Sequence, residues 1–279
     1  MSFSRRRFLT AGGGILLAPL PVAAETAGPA GLSAPQDIVR NGTLRIAMPA
    51  FASEPFFPAH DRSGDGIDMD LANGIARALG ARPIFIRTAE TFDETVAQLN
   101  AGEADLVIGK LSRTLQRGRT IIYSRPYAML NQGLIANRVN LARIAKGQEP
   151  EQVIRSFSGS LGVIEGSSFA GYAPINFPRA DIRRFPTWTS VIAAIRQGSI
   201  DMAYRDDFEI KKLMVDDPSM TVVARSITLT DKTDTIAVGI RPDNSHLAAF
   251  VDLYIDLERG ARVLSTNEII ARYRKPSEP

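Results

Sequence analysis

The chain of 279 residues has no cysteine. That excludes disulfides, thiolate metal sites, a cysteine nucleophile and a lipid-modified amino-terminal cysteine, so the core alone must hold the fold. Histidine is nearly as scarce. His60 and His246 stand far apart in the sequence and read as surface residues, not as metal ligands or a catalytic base. No metal, cofactor or catalytic group is therefore expected. After the first residues, no apolar run approaches the roughly 18 residues of a membrane-spanning helix. A basic excess is missing as well. Three of the 33 Lys and Arg residues lie in the first 24 positions, which hold no acid, so the remainder carries 30 charges of each sign. Without a basic stripe or an alternation of aromatic and basic residues, nucleic acid is set aside as a partner.

What is present begins with Ser4-Arg5-Arg6-Arg7-Phe8-Leu9, a weakly apolar stretch from Ala11 to Leu20, and the small residues Val22-Ala23-Ala24. This is the order of an export signal. Its paired arginines resemble the twin-arginine signal, with Thr10 where lysine is frequent. Removal of residues 1–24 leaves 255 residues, headed by a Pro/Gly/Ala/Ser-rich tether over 25–42. The expected product is a soluble periplasmic monomer without a lipid anchor, large enough for two modest cores.

One segment occurs twice. Residues 91–108 read TFDETVAQLNAGEADLVI, and residues 187–204, shifted by 96, read TWTSVIAAIRQGSIDMAY. In each copy an aromatic (Phe92, Trp188) opens a helical pattern, a glycine (Gly102, Gly198) closes it, and an aspartate (Asp105, Asp201) starts an apolar strand. Two similar α/β units imply two lobes, and a cleft between lobes is a usual place for a small ligand.

The flanking patterns extend both units. Strands are expected at 43–48, 83–87 and 105–109, with helices at 68–79 and 92–101 between them, the order of a parallel sheet covered by helices. The second unit has strands at 161–164 and 181–185, a helix opening at Gly166-Ser167-Ser168, and then the second repeat copy. A helix from Asp206 to Met214, strands at 221–224 and 235–240, a long helix carrying Leu247, Phe250, Val251 and Tyr254, and a terminal helix over 262–274 complete the chain. Stretches 133–137 and 235–240 are the natural crossovers if the C-terminal helices return to the first lobe. The expected lobes are 43–135 plus 236–274, and 136–235.

Gly109-Lys110-Leu111-Ser112-Arg113-Thr114-Leu115-Gln116-Arg117, followed by Tyr123-Ser124-Arg125-Pro126-Tyr127, resembles the family 3 periplasmic solute-binding proteins, the polar amino-acid receptors of ABC importers. Their pattern is a Ser/Thr-rich loop with Thr-x-x-Arg, then Phe-Ser-x-Pro-Tyr. The likeness extends from about Leu44 to Leu257 and includes Gly66 to Leu71. It implies the two-lobed type II periplasmic-binding-protein fold, with two hinge crossovers, a ligand cleft between the lobes, and delivery of the ligand to a membrane permease.

The resemblance also implies roles. Arg117, with Thr114 and Ser112, would take a ligand carboxylate, for which the planar guanidinium fork is suited. Ser167 and Ser168 would bring the amides of a helix N-terminus to the same anion, or simply cap the helix. Asp206 would pair with a ligand ammonium, although Asp206 and Asp207 both suit a helix cap. Phe92 would pack on the ligand side chain. Three positions depart from the pattern. Phe51 and Ser53 stand where a second aromatic is usual, Lys110 replaces a small or hydroxylic residue, and Ala271-Arg272-Tyr273 replaces Lys-Trp-Phe. Lys110 would favour an acidic ligand side chain if it pointed inward and would mean nothing if outward. Two other functions remain open: an enzyme resembling cyclohexadienyl dehydratase, with Glu165 as general acid, and a receptor serving a sensor or partner protein.

Overall fold

The computed structural model describes residues 35–59, 65–260 and 262–274; the expected export signal over 1–24, the expected tether residues 25–34 and His60 lie outside them. The end of the tether departs from expectation. Pro35–Asn41 is helix α1, because Ile38 is drawn into the core and Arg40 reaches back to Asp37 at 2.6 Å. Strand β1 (Thr43–Pro49), helix α2 (Ile67–Ala78), β2 (Arg82–Ala89), α3 (Phe92–Asn100) and β3 (Leu106–Val107) then follow the expected order. A 3₁₀ turn at Arg117–Arg119 and β4 (Ile122–Tyr123) lead to the long strand β5 (Ala128–Asn137).

The second unit runs α4 (Arg138–Ala145), α5 (Pro150–Arg155), β6 (Ser160–Ile164), α6 (Ser168–Asn176), β7 (Asp181–Phe185), α7 (Trp188–Gln197), β8 (Met202–Asp206), α8 (Asp207–Asp216), α9 (Met220–Val223) and β9 (Ala224–Ile236). The strand expected over 221–224 is not formed. The Pro218 carbonyl accepts both the Thr221 amide and the Thr221 hydroxyl, which winds the chain into α9 and buries Met220; the strand begins only at Ala224.

The single strand expected over 235–240 is interrupted. Ala237 donates to the Leu111 carbonyl and Val238 to the Ser124 hydroxyl, so pairing resumes only at β10 (Gly239–Ile240). Helix α10 (Ser245–Arg259) follows. The terminal helix starts later than expected, as α11 (Thr266–Arg274), because Leu264–Ser265 pair with β5 as β11.

Two sheets result. One has the order β2-β1-β3-β10-β4, and the other β11-β5-β8-β6-β7, with β9 paired to β5 off this path. Strands β5 and β9 run antiparallel from Ala128 opposite Ile236 to Asn137 opposite Ala224, and together they carry the chain between the sheets. The crossover is two-stranded, as the resemblance implied, and longer than 133–137. Around the first sheet, Ile46, Met48, Leu71, Ile75, Val251 and Ile255 form one core. The second sheet has cores on both faces, one with Leu161, Phe169 and Tyr204, the other with Ile135, Val191 and Ile200. Burial of each such side chain contributes about 1.5–3 kcal/mol, enough to replace cross-links.

The repeat is structural. Thr91 and Thr187 are the N-caps, each accepting from the third following amide at 3.1 Å, so Phe92 and Trp188 are the first residues of α3 and α7. Gly102 and Gly198 end the helices with φ of 75° and 68°, a region that disfavours any side chain. Asp105 accepts the Arg45 amide and Asp201 the Ser160 amide, both at 2.8 Å, so each aspartate ties its strand to the start of the neighbouring one.

Candidate functional site

The cleft is built at the carboxyl ends of parallel strands, where helix N-termini and loops converge. One wall is the loop after β3 together with the start of α3. The other is the β6–α6 turn and the junction of β8 with α8. The walls touch. Ser168 Oγ donates to Ser112 Oγ at 2.9 Å, and the Asp93 amide donates to the Gly166 carbonyl at 3.2 Å.

A narrow inner cleft is lined by Phe92, Lys110, Ser112, Ser167, Ser168 and Asp206, together with Arg205 and Asp234. A wider pocket beside it is lined by Asp93, Thr114, Arg117, Tyr172 and Ile175, again with Ser167 and Ser168. The residues expected to bind ligand are thus divided. Phe92, Lys110, Ser112 and Asp206 face the inner cleft, Thr114 and Arg117 face the outer pocket, and the two serines border both.

Lys110 points inward. Its Nζ donates to Asp206 Oδ1 and Oδ2, each at 3.1 Å, and to Glu209 Oε1 at 2.8 Å. The rings of Phe56 and Phe208 flank it at 5.3 and 5.2 Å, within cation–π reach. Its backbone is left-handed, with φ of 53°, and its amide donates at 2.6 Å to buried Asp68. Burial pushes the Asp68 carboxyl up to about 7. The inward lysine therefore presents no free charge for an acidic ligand side chain, because two carboxylates already surround it.

Glu209 and Arg205 were not singled out in the sequence. Asp206 is the N-cap of α8 and accepts the Glu209 amide at 3.1 Å. That Asp-x-x-Glu spacing is a capping-box signal, but here the glutamate turns to Lys110 and to Ser53, whose Oγ donates at 2.7 Å. Arg205 lies 3.7 Å from Asp206 and 3.5 Å from Glu209, and stacks over Trp188 at 4.7 Å. Burial raises the Glu209 carboxyl, yet Arg205, Lys110 and the Ser53 bond outweigh it and hold the group well below the usual range.

Asp234, on β9, was likewise missed. It accepts from Ser112 Oγ at 2.8 Å and from the Tyr172 hydroxyl at 3.3 Å, so a hydroxyl chain runs from Ser168 through Ser112 to the crossover strand. Burial pushes this carboxyl up to about 7 although the Ser112 bond opposes it. No local motif marks Asp234, because its partners Ser112 and Tyr172 lie 122 and 62 residues away in the chain.

Arg117 donates through Nε to Asp93 Oδ1 at 2.9 Å, through Nη1 to the Ser112 carbonyl at 3.3 Å, and through Nη2 to the Gly166 carbonyl at 3.5 Å. Thr114 Oγ1 accepts the Arg117 amide at 3.1 Å and so shapes the turn. Ser167 caps α6 by accepting from Ala170 at 3.4 Å. Phe51, whose place was open, meets Phe92 edge-on at 5.3 Å. Glu165 is half exposed and pairs with Arg184 at 3.0 Å, on the surface instead of in the cleft. Tyr273, in the segment that departs from Lys-Trp-Phe, packs against Phe208 and donates to Asp216 at 2.7 Å. Among the described residues, no group of histidine and acidic side chains is arranged to hold a metal ion, and no helix is long and apolar enough to cross a membrane. His246 is exposed.

The family model of the bacterial extracellular solute-binding proteins, family 3, matches residues 44–256. An arginine-binding protein of an ABC transporter from Escherichia coli K12 is 22% identical over 185 residues, which are 65% of this chain and 71% of that one. A glutamine-binding protein from Geobacillus stearothermophilus is 22% identical over 160 residues, 57% of this chain and 58% of that one. A membrane-bound lytic murein transglycosylase F from Idiomarina loihiensis is 28% identical over 135 residues, 48% of this chain but only 26% of the enzyme's length. Among solved structures, an amino acid ABC transporter substrate-binding protein from Streptococcus pneumoniae Canada MDR_19A, bound to L-arginine, superposes with a TM-score of 0.66 at 23% identity, covering 85% of this chain and 94% of that one.

Proposed function

Because the chain belongs to family 3 of the bacterial extracellular solute-binding proteins, we propose that it captures a small carboxylated solute, an amino acid or a related carboxylate, between its lobes and delivers it to an ABC-type permease. The observation that carries this reading is Arg117. It is buried to 6% exposure at the mouth of the outer pocket, beside the N-terminus of α6, and its salt-bridge partner Asp93 is half exposed. A guanidinium fork opposite a helix N-terminus suits a carboxylate. In this reading Arg117 and Thr114 receive the carboxylate, Ser112, Ser167 and Ser168 close over it, Phe92 packs on the rest of the solute, and Lys110 and Asp206 form the inner wall.

The similar proteins named for arginine and glutamine support amino acids as the first solutes to try. Contacts from both lobes make the ligand favour the closed form, since it shifts the equilibrium by its differential affinity for that form. The paired arginines at Arg5 and Arg6 support export through the twin-arginine route to the periplasm. Thermal unfolding against a panel of amino acids and organic acids tests the reading. A ligand at about 100 times its dissociation constant adds roughly 2.7 kcal/mol, and Arg117→Ala should abolish the shift. A panel without any shift, or a shift indifferent to Arg117→Ala, overturns it.

A further inference from the structure

We infer that Lys110 is a specificity-determining residue that fills the ammonium subsite of the cleft, so that the chain selects small carboxylates lacking an α-ammonium group, such as 2-hydroxy acids, over the matching amino acids. The inference rests on the receptor reading above and narrows its ligand class.

An ammonium has three donors and needs a carboxylate-rich, partly aromatic cage to be buried. The inner cleft provides that cage, and Lys110 Nζ already stands in it, bonded to Asp206 and Glu209 between two phenylalanine rings. Formal charge gives the same answer. Lys110 and Arg205 balance Asp206 and Glu209, so this cluster has no carboxylate charge left over for a second ammonium. The remaining carboxyl of the inner cleft, Asp234, has both oxygens engaged by the Ser112 and Tyr172 hydroxyls.

The two subsites differ in how readily they exchange partners. The side chains of Lys110, Asp206 and Glu209 are 3%, 5% and 9% exposed, whereas Asp93, which holds Arg117, is 49% exposed. Water can take over from Asp93 when a ligand carboxylate arrives, but nothing replaces Asp206 around Lys110 inside the cleft. The left-handed backbone of Lys110, fixed by buried Asp68, holds the side chain on this path.

Isothermal titration of the purified chain with matched pairs tests this: lactate against alanine, 2-hydroxyisovalerate against valine, 2-hydroxyglutarate against glutamate, and the 2-hydroxy analogue of arginine against arginine. The wild type should bind at least one hydroxy acid about tenfold or more tightly than its amino acid. Lys110→Met keeps the apolar stem, empties the subsite, and should reverse the ratio. Preference of the wild type for the amino acid in every pair overturns the inference and leaves the receptor reading intact; so does an unchanged ratio in a folded Lys110→Met protein. Should that variant not fold, the wild-type ratio alone decides. Binding of no member of either series removes both readings together.

Discussion

Lys110 and Asp206 meet across the cleft with Nζ 3.1 Å from each carboxylate oxygen, the lysine on the loop after β3 and the aspartate at the N-cap of α8. The contact is a fold interaction and a site interaction at once, since it joins the two walls and fixes the charge of the inner cleft. With Glu209 and Arg205 it makes a buried four-member ionic cluster. Breaking one member of such a cluster costs far more than the intact pair contributes, because the partner keeps its buried charge.

Asp206→Asn should therefore destabilise the protein by about 3–5 kcal/mol, read from urea unfolding. Asparagine still caps α8, so the loss reports the charge, and Asp206→Ala should cost about 1 kcal/mol more for the missing cap. A loss below about 1 kcal/mol in Asp206→Asn would mean that the cluster is hydrated.

Asp93 competes with any ligand carboxylate for Arg117. Since this ion pair is half exposed on the Asp93 side, its replacement should have a modest effect. Asp93→Asn is expected to tighten binding of a carboxylate ligand by roughly 2- to 5-fold, the equivalent of an exposed ion pair. Titration calorimetry with the best ligand of the panel measures it, and weaker binding would show that Asp93 contacts the ligand favourably.

Gly166 lies where the walls touch, with φ of 65°, and an added Cβ would come 2.8 Å from Thr91 Cβ. Gly166→Ala should disfavour the closed form through the clash across the walls, while the left-handed backbone strain of about 1–2 kcal/mol lowers overall stability; the clash should lower ligand affinity roughly tenfold or more and enlarge the radius of gyration in small-angle scattering. Thr91→Gly in the same chain removes the clash but not the strain, and should restore part of the affinity.

Asp68 and Asp234 both have folded-state carboxyls raised to about 7 by burial. Below the unfolded value near 3.8 neither state is ionised; as pH rises from there to about 7 the unfolded chain gives up protons that the folded chain keeps. Stability from these groups is therefore full at acid pH and is lost as pH rises through about 7. Glu209 acts oppositely, but its share is lost only as pH falls below the ordinary glutamate range. Between pH 5 and pH 8 the unfolding free energy from urea titration should fall, and Asp234→Asn should reduce that fall by an amount on the order of 1–3 kcal/mol. An identical pH profile in Asp234→Asn would place the titration elsewhere.

Local chemistry was readable to the residue in the repeat. Thr91 and Thr187, the aromatics after them, Gly102 and Gly198, and Asp105 and Asp201 do the same work at both places, because caps, left-handed glycines and strand-tying aspartates act within or just beyond one element. Where β-branched residues were read as a strand at 221–224, the turn at Pro218 and the burial of Met220 prevailed over intrinsic preference. Of the candidate site residues, Arg117 is buried, Asp206 and Ser167 are N-caps, the alternative role the sequence left open for them, and Ser168 heads α6.

The sequence by itself determined the two α/β units, the helix ends of the repeat and, through the absence of cysteine, a fold held by packing; the candidate polar residues of the cleft came from the family resemblance. Tertiary structure decided how those residues pair. Whether Lys110 faces solvent or the cleft depends on a left-handed backbone pinned by Asp68, 42 positions earlier, and on carboxylates 96 and 99 positions later. Asp234 and Arg205 owe their places to β9 and β8 crossing behind the cleft. Such pairings leave no periodicity in the chain, because Coulomb attraction and desolvation act through space, between groups that only the closed fold brings together.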